Sequence, residues 1–212
     1  MVKIIGAAAT ALALSALAGM AQAAPAPALV TTYDFSAGTP LGTPDTFGFE
    51  FQANSAIKIS QLGIFDSGQD GLAEAHSLGL WGASGNLLAW THIAAGTSAP
   101  LLGLYRYAHI PAVTLTAGSN YFVGVYSSSL ADAFHCCDAP AAVDSRISLL
   151  GFGLSNNGLF SAPNFDVPPE SYANFLIGPA SAAPEPAVWT SLLLGVAFAG
   201  AALRRRRART AA

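Results

Sequence analysis

The sequence predicts an all-β protein: a single antiparallel β-sandwich of jelly-roll type, flanked by an N-terminal signal helix and a C-terminal transmembrane helix. Three observations favour the sandwich. Short apolar alternations of period two recur along the middle of the chain, turn-forming residues separate them, and helical periodicity is nearly absent there. Evenly spaced short strands with turn signals between them are typical of antiparallel sandwiches and jelly rolls.

The first alternation is also the clearest of the early strands. Phe47, Phe49 and Phe51 alternate with Gly48 and Glu50. In a strand, successive side chains point to opposite faces, so this pattern predicts one aromatic face turned to a core.

The next alternation shifts by one residue near Gln61, and such a slip predicts a β-bulge. Its apolar members are Ile57, Ile59, Leu62 and Ile64.

Two later segments predict a hairpin around Ser84-Gly85-Asn86. Further strand residues, taken in chain order, are His76 to Trp81, Leu87 to Ile93, Tyr105 to His109, Val113 and Leu115, Tyr121 to Val125, and Ile147 to Phe152.

The N-terminal end predicts a secretory signal peptide over residues 1–23. Lys3 gives a positive start, an apolar core follows, and Ala21-Gln22-Ala23 is a small-x-small cleavage site at Ala21 and Ala23. The alternative is an uncleaved membrane anchor. Residues 24–32 are then expected to be a linker, and residues 33–178 the sandwich domain.

The C-terminal end predicts a membrane stop. A linker over 179–186 carries Pro184-Glu185-Pro186, and residues 187–203 form an uncharged apolar run of 17 residues. As a helix the run spans roughly 25 Å, at the lower limit for crossing a bilayer. The basic tail over 204–212 begins with Arg204, Arg205, Arg206 and Arg207, which are expected to stay in the cytoplasm. The alternatives are a buried C-terminal helix and a nucleic-acid patch.

The order of these three parts resembles the PEP-CTERM sorting signal of Gram-negative bacteria. The likeness runs from Pro184 to Arg209. It implies that an exosortase, a membrane-embedded protease of transpeptidase type, recognises Pro184-Glu185-Pro186 and cleaves near it. It further implies passage through the inner membrane to the cell surface or extracellular matrix, in species that make exopolysaccharide.

The charge of the exported part differs from that of the whole chain, which has nine basic and twelve acidic residues. Six of the basic residues lie in the two ends, which leaves three basic residues against twelve acidic ones and a formal charge of −9. Nucleic-acid binding requires basic residues that neutralise phosphates, so it is not expected here. An acidic body is compatible with solubility outside the cell and with divalent cations.

A glycine-rich loop holds a candidate calcium site. Asp66 and Asp70 are four residues apart in this loop, and oxygen ligands on a flexible loop suit Ca²⁺. The alternative is a solvated turn in which the aspartate caps its own backbone. No other cofactor is expected.

Cys136 and Cys137 are adjacent, between His135 and Asp138. In an oxidising compartment they are expected to be bonded, and a strained vicinal disulfide in a loop is the favoured form. Intermolecular bridges and a His-Cys-Cys metal cluster are the alternatives.

Two further residue sets have a plain structural interpretation. His76 alternates with Leu78 and Leu80, as expected of a core or rim histidine bonded to a loop carboxylate. The other set is a group of aromatic residues that are expected in the core, with a sugar-stacking platform as the alternative: Trp81, Trp90, Tyr105, Tyr107, Tyr121 and Tyr126. No Gly-x-Ser-x-Gly nucleophile motif supports a hydrolase triad.

The segment from Thr46 to Tyr126 resembles a family of secreted β-sandwich domains without an assigned function. The likeness rests on short motifs, among them Leu62-Gly63-Ile64-Phe65-Asp66 and Leu78-Gly79-Leu80-Trp81. The family brings no catalytic residues. We therefore expect an exported, non-catalytic surface or matrix protein that is adhesive or associated with exopolysaccharide. The alternative is a secreted carbohydrate-active enzyme or a calcium-stabilised carbohydrate-binding module.

Overall fold

The computed structural model describes residues 24–32, 44–128, 131–132, 140–155, 157–167 and 172–178. Within this part of the chain the regular structure is β, apart from one 3₁₀ turn at Ser67–Gln69. The strands are β1 (Ala26–Pro27), β2 (Leu29–Val30), β3 (Asp45–Ala53), β4 (Ile57–Phe65), β5 (His76–Gly82), β6 (Leu87–Ile93), β7 (Leu101–Leu102), β8 (Tyr105–Leu115), β9 (Asn120–Ser127), β10 (Ala142–Val143), β11 (Ile147–Leu154), β12 (Phe165–Val167) and β13 (Ala173–Gly178).

The strands form two main antiparallel sheets, which confirms the predicted β-sandwich. One sheet has six strands in the order β12-β11-β3-β9-β5-β6, and the other has five in the order β1-β13-β4-β8-β7. A short pair, β10 with β2, adjoins them. The predicted hairpin between β5 and β6 is present.

The core lies between the two sheets and is rich in aromatic rings. Phe49 and Phe51 of β3 meet Phe175 of β13, with ring centroids 6.0 Å and 4.7 Å from that of Phe175. All three side chains are fully buried. Each such burial contributes about 1.5–3 kcal/mol, so this cluster is a large part of what holds the sheets together.

The predicted bulge near Gln61 is also present. The pairing of β4 with β8 shifts register between Ile59 and Gln61, and the pairing of β4 with β13 shifts at the same place. Pro111 lies in β8 opposite this irregularity, between the partners of Ile59 and Gln61. A proline lacks a backbone N–H, and at a bulge that loss removes no regular ladder bond. The strand therefore continues through the proline as one element of 11 residues.

The predicted linker over residues 24–32 is part of the sandwich. β1 pairs with β13 and β2 pairs with β10. Ala28 and Leu29 are buried, and the amide of Asn174 both accepts from the Leu29 N–H and donates to the Leu29 carbonyl. These apolar side chains and paired backbone groups fix the segment in the fold.

Several predictions concern residues outside the described part of the chain. These are the signal peptide with Ala21 and Ala23, the pair Cys136 and Cys137, and all residues from 179 onward, including the sorting motif and the arginines. Among the residues that the structure describes, no helix is both long and apolar enough to span a bilayer.

Candidate functional site

A row of glycines crosses the outer face of the six-stranded sheet. Gly153, Gly48, Gly124 and Gly79 occupy matching positions on the adjacent strands β11, β3, β9 and β5. Their neighbours along β3, β9 and β5 are buried core residues, so these positions face outward. Four aligned positions without a side chain leave a channel across the sheet.

The segment 157–164 packs along this channel. The Thr46 hydroxyl donates to the Leu159 carbonyl at 2.7 Å, and the Tyr126 hydroxyl donates to the Gly158 carbonyl at 3.3 Å. The Phe160 ring lies 5.1 Å from that of Trp81. Pro163 is buried, and a Cβ placed on Gly124 would lie 3.3 Å from its Cγ. The bare backbone of the sheet thus allows a loop to approach it closely.

A cleft of about 220 Å³ remains beside this segment. In the sheet, Glu50 lies opposite both Phe122 and Gly151, which sets one carboxylate beside one aromatic ring and one bare backbone position. Residues of three strands and of the loop line the cleft: Glu50, Phe122, Gly151, Phe152, Gly153, Pro163 and Asn164.

The Glu50 carboxylate is held in place by a chain of side-chain amides. Gln52 Nε2 donates to Asn120 Oδ1 at 3.3 Å, and Asn120 Nδ2 donates to Glu50 Oε1 at 3.0 Å. Glu50 is half-buried. One carboxylate oxygen is therefore oriented by the protein, while the second carries no hydrogen bond from a described side chain.

This arrangement suits a ligand that is polar at its edge and apolar on its face. The carboxylate of Glu50 accepts hydrogen bonds, the amide of Asn164 donates and accepts them, and the ring of Phe122 offers an apolar surface. Small sites of this kind combine apolar lining with a few placed polar groups. A sugar ring, with hydroxyls at its rim and C–H groups on its faces, has the matching chemistry.

Asp66, one of the two candidate calcium residues, is paired in the structure with the side chain of Arg106. Its side chain is buried, and Oδ2 accepts from Arg106 Nε at 2.6 Å. Oδ1 accepts from the Gly71 backbone N–H at 3.2 Å, as expected of an aspartate that caps its own loop. Asp70 is exposed on the same loop. The guanidinium of Arg106 supplies positive charge next to Asp66, and calcium binding by the pair stays a prediction.

His76 is a buried residue bonded to a loop carboxylate, as its alternation with leucines predicts. Its Nε2 lies 2.8 Å from Asp132 Oδ2. Burial opposes ionisation of Asp132, but hydrogen bonds from His76 and from two backbone N–H groups outweigh it and hold the pKa of this carboxyl below its ordinary value.

The aromatic residues named from the sequence are largely core. Trp81, Tyr105, Tyr107 and Tyr121 are buried, whereas Trp90 is 57% exposed on the edge strand β6. Phe122, the aromatic residue of the cleft, was not among them. A detectable signal was its outward position in the β9 alternation, whereas its place opposite Glu50 follows from the pairing of β3 with β9.

One family model matches the chain. Its description is a domain of unknown function (DUF4082), and it covers residues 34–176, which includes the Thr46 to Tyr126 segment that resembles secreted sandwich domains. The search of curated proteins and the search of solved structures found no match to this chain.

Proposed function

We propose that this chain, which belongs to the DUF4082 family of unknown function, is an exported, non-catalytic polysaccharide-binding protein of the cell surface or matrix. The single observation that supports the proposal is the cleft on the outer sheet face. There an oriented carboxylate, an aromatic ring and a side-chain-free backbone lie side by side.

The dimensions of the cleft favour one unit of a longer polymer. Its volume of about 220 Å³ is below the ~300–1,000 Å³ typical of sites that enclose drug-sized ligands. A shallow protein site that contacts one sugar unit of a polymer binds weakly on its own. A protein displayed in many copies on a surface would gain avidity by engaging many repeats of the same polymer.

The charge of the domain favours a neutral polysaccharide. The chain from Asp34 to Glu185 has three basic residues against twelve acidic ones, and the cleft itself contains Glu50. Like charges repel, so a polymer rich in uronic acids would be disfavoured at this surface.

The cleft also favours binding over hydrolysis. Glycosidases generally use a pair of carboxyl groups on either side of the scissile bond. Among the described residues that line the cleft, Glu50 is the single acidic one. The proposal therefore predicts a binding isotherm without product formation.

Replacing Glu50 with alanine should weaken polysaccharide binding at least tenfold, because a hydrogen bond to a charged group contributes about 1.5–3 kcal/mol. Replacing Phe122 with alanine should have a comparable effect through loss of the stacking surface. Isothermal titration of the full chain against neutral hexose polymers, and against uronate-containing ones, measures both effects.

The matched control is Trp90→Ala, which removes an exposed aromatic ring from the same sheet outside the cleft. Binding should be unchanged in this variant. Equal affinity in the wild-type chain, Glu50→Ala and Phe122→Ala would contradict the proposed site, and release of reducing ends would indicate the carbohydrate-active enzyme instead.

The proposed export has a separate test at the C-terminal motif. Alanine at Pro184, Glu185 and Pro186 together should leave a membrane-held precursor that keeps its arginines, because the sorting protease would lose its recognition segment. Cell fractionation and intact mass spectrometry of the recovered chain measure this.

A composition-matched control changes Pro168, Pro169 and Glu170, which are the same residue types outside the motif. This variant should be released like the wild-type chain. A wild-type chain recovered from the cytosol with its arginines present would contradict the export proposal.

A further inference from the structure

Three side chains with metal-ligating atoms meet outside the cleft. His76 is the first residue of β5, Glu74 lies two residues before it, and Asp132 lies in the segment after β9. Their carboxylate and imidazole atoms all lie within 4.8 Å of one another. None of the three lines the cleft, so this cluster is independent of the proposed polysaccharide site.

The imidazole of His76 is held with one nitrogen aimed into the cluster. Its ring is fully buried, and Nδ1 lies 3.1 Å from the carbonyl oxygen of Tyr126. A carbonyl only accepts hydrogen bonds, so Nδ1 carries the proton in this contact. In the neutral ring, Nε2 then presents a lone pair toward Asp132 Oδ2, which lies 2.8 Å away and is itself an acceptor.

Two acceptor atoms at this distance need either a shared proton, which gives the hydrogen bond between His76 and Asp132 described above, or a cation that both ligate. A metal ion takes the place of that proton when it binds. The contact of His76 Nδ1 with a backbone carbonyl resembles that of zinc-bound histidines, in which the nitrogen that does not bind metal donates its N–H to such a carbonyl. The Tyr126 carbonyl has this role here, and it lies outside the acidic cluster.

Both carboxylates are oriented by their own hydrogen bonds. Asp132 accepts from the backbone N–H groups of Ala73 and Glu74, at 2.6 Å and 2.9 Å. Glu74 accepts from the hydroxyls of Ser127 and Ser128, at 2.8 Å and 2.7 Å. Such supporting bonds around ligating groups restrict their orientation and raise metal affinity.

We infer that Glu74, His76 and Asp132 form a binding site for a borderline divalent transition cation of the Zn²⁺ type. One imidazole and two carboxylates give a net charge of −2 that balances a dication. Three ligands come from the described residues, and a tetrahedral ion has one further position. Ca²⁺ is disfavoured because it takes oxygen ligands, whereas imidazole selects transition ions.

The distance between His76 and Asp132 predicts how the site must change when a metal ion binds. Two ligands about 2.0–2.1 Å from a tetrahedral ion lie roughly 3.3 Å apart. The Nε2 to Oδ2 distance of 2.8 Å is shorter, so metal binding must separate His76 and Asp132 by about half an ångström. Glu74 is half-buried and Ser128 is exposed, which gives an ion access from the rim.

The experiment is calorimetric titration of the untagged, chelator-treated full chain with ZnCl₂ and with CaCl₂. Glu74→Gln and Asp132→Asn are nearly isosteric changes that remove one charge each. Each should weaken Zn²⁺ binding at least tenfold. The control is Asp144→Asn, a half-buried carboxylate that is bonded to Arg146 and lies outside the cluster. Its affinity for Zn²⁺ should equal that of the wild-type chain.

Two further readouts separate this site from other ligands in the chain. Zn²⁺ at one fixed concentration should raise the melting temperature of the wild-type chain and of Asp144→Asn by the same amount and that of Glu74→Gln by less, because the stabilisation of the native state falls as binding weakens. Co²⁺ should give ligand-field bands that are lost in Glu74→Gln.

The inference is overturned if Glu74→Gln and Asp132→Asn both bind Zn²⁺ as tightly as the wild-type chain. It is equally overturned if the only bound Co²⁺ shows sulfur-to-cobalt charge transfer, which would assign the metal to the cysteines. Binding of Ca²⁺ in preference to Zn²⁺ would also reject it. If Asp132→Asn fails to fold, Glu74→Gln alone decides the outcome.

Discussion

Replacing Arg106 with methionine should destabilise the domain by about 3–5 kcal/mol, the cost of leaving one partner of a buried ion pair without the other. Arg106 is 4% exposed and Asp66 2% exposed. Arg106 Nε donates to Asp66, Nη1 donates to the carbonyls of Thr97 and Ala99, and Nη2 donates to the carbonyl of Gln69. The substitution therefore removes one shared hydrogen-bond donor from a buried carboxylate and from three carbonyl groups at once.

Urea denaturation measures this loss as a lower midpoint at an unchanged slope. The control is Lys58→Met, which removes an exposed cation from the neighbouring strand β4 and should change stability by no more than about 0.5 kcal/mol. The double variant Asp66→Asn with Arg106→Met should recover part of the loss, because it removes the orphaned charge. Equal midpoints for Arg106→Met and Lys58→Met would contradict the structural role given to this pair.

Strands whose outward positions carry small or polar residues could be predicted from the sequence, because that composition leaves a visible alternation. The phenylalanines of β3 and the valines of β9 are buried while their neighbours face outward, and both strands were recognised. β13 was not recognised because all six of its residues are buried. Its run includes Asn174, whose amide is satisfied by the backbone of Leu29. Neither a period of two nor a purely apolar run marks such a strand.

The cleft could not be predicted because it depends on strand register. Glu50 is 70 residues from its amide partner Asn120, and further lining residues come from β11 and from the segment 157–164. In sequence, each of the four glycines resembles an isolated weak point in a strand. Their function as one channel arises only when the pairing of β11, β3, β9 and β5 aligns them.

Only part of the proposed metal cluster could be predicted from the sequence. The alternation around His76 predicted a buried histidine with a carboxylate partner. Its partner Asp132 lies 56 residues away, in a segment without strand or helix periodicity. Spacing rules for metal ligands apply to residues on one element, so a set shared between a strand and a distant loop escapes them.

Replacing Gly48 with alanine should be far more damaging than the same change at Gly124, although both glycines belong to one row. A Cβ at position 48 would lie 1.8 Å from the Val123 carbonyl oxygen and 2.6 Å from the Gly124 Cα, which are backbone atoms of the paired strand β9. At position 124 the nearest atom is Thr46 Cγ2 at 2.8 Å, the end of a side chain. A backbone contact can be relieved only by separating β3 from β9, so we expect a loss of about 3 kcal/mol or more for Gly48→Ala and about 1 kcal/mol for Gly124→Ala. Chemical denaturation of both variants checks the order, and similar small losses would mean that the two central strands can move apart without breaking the sheet on which the cleft is built.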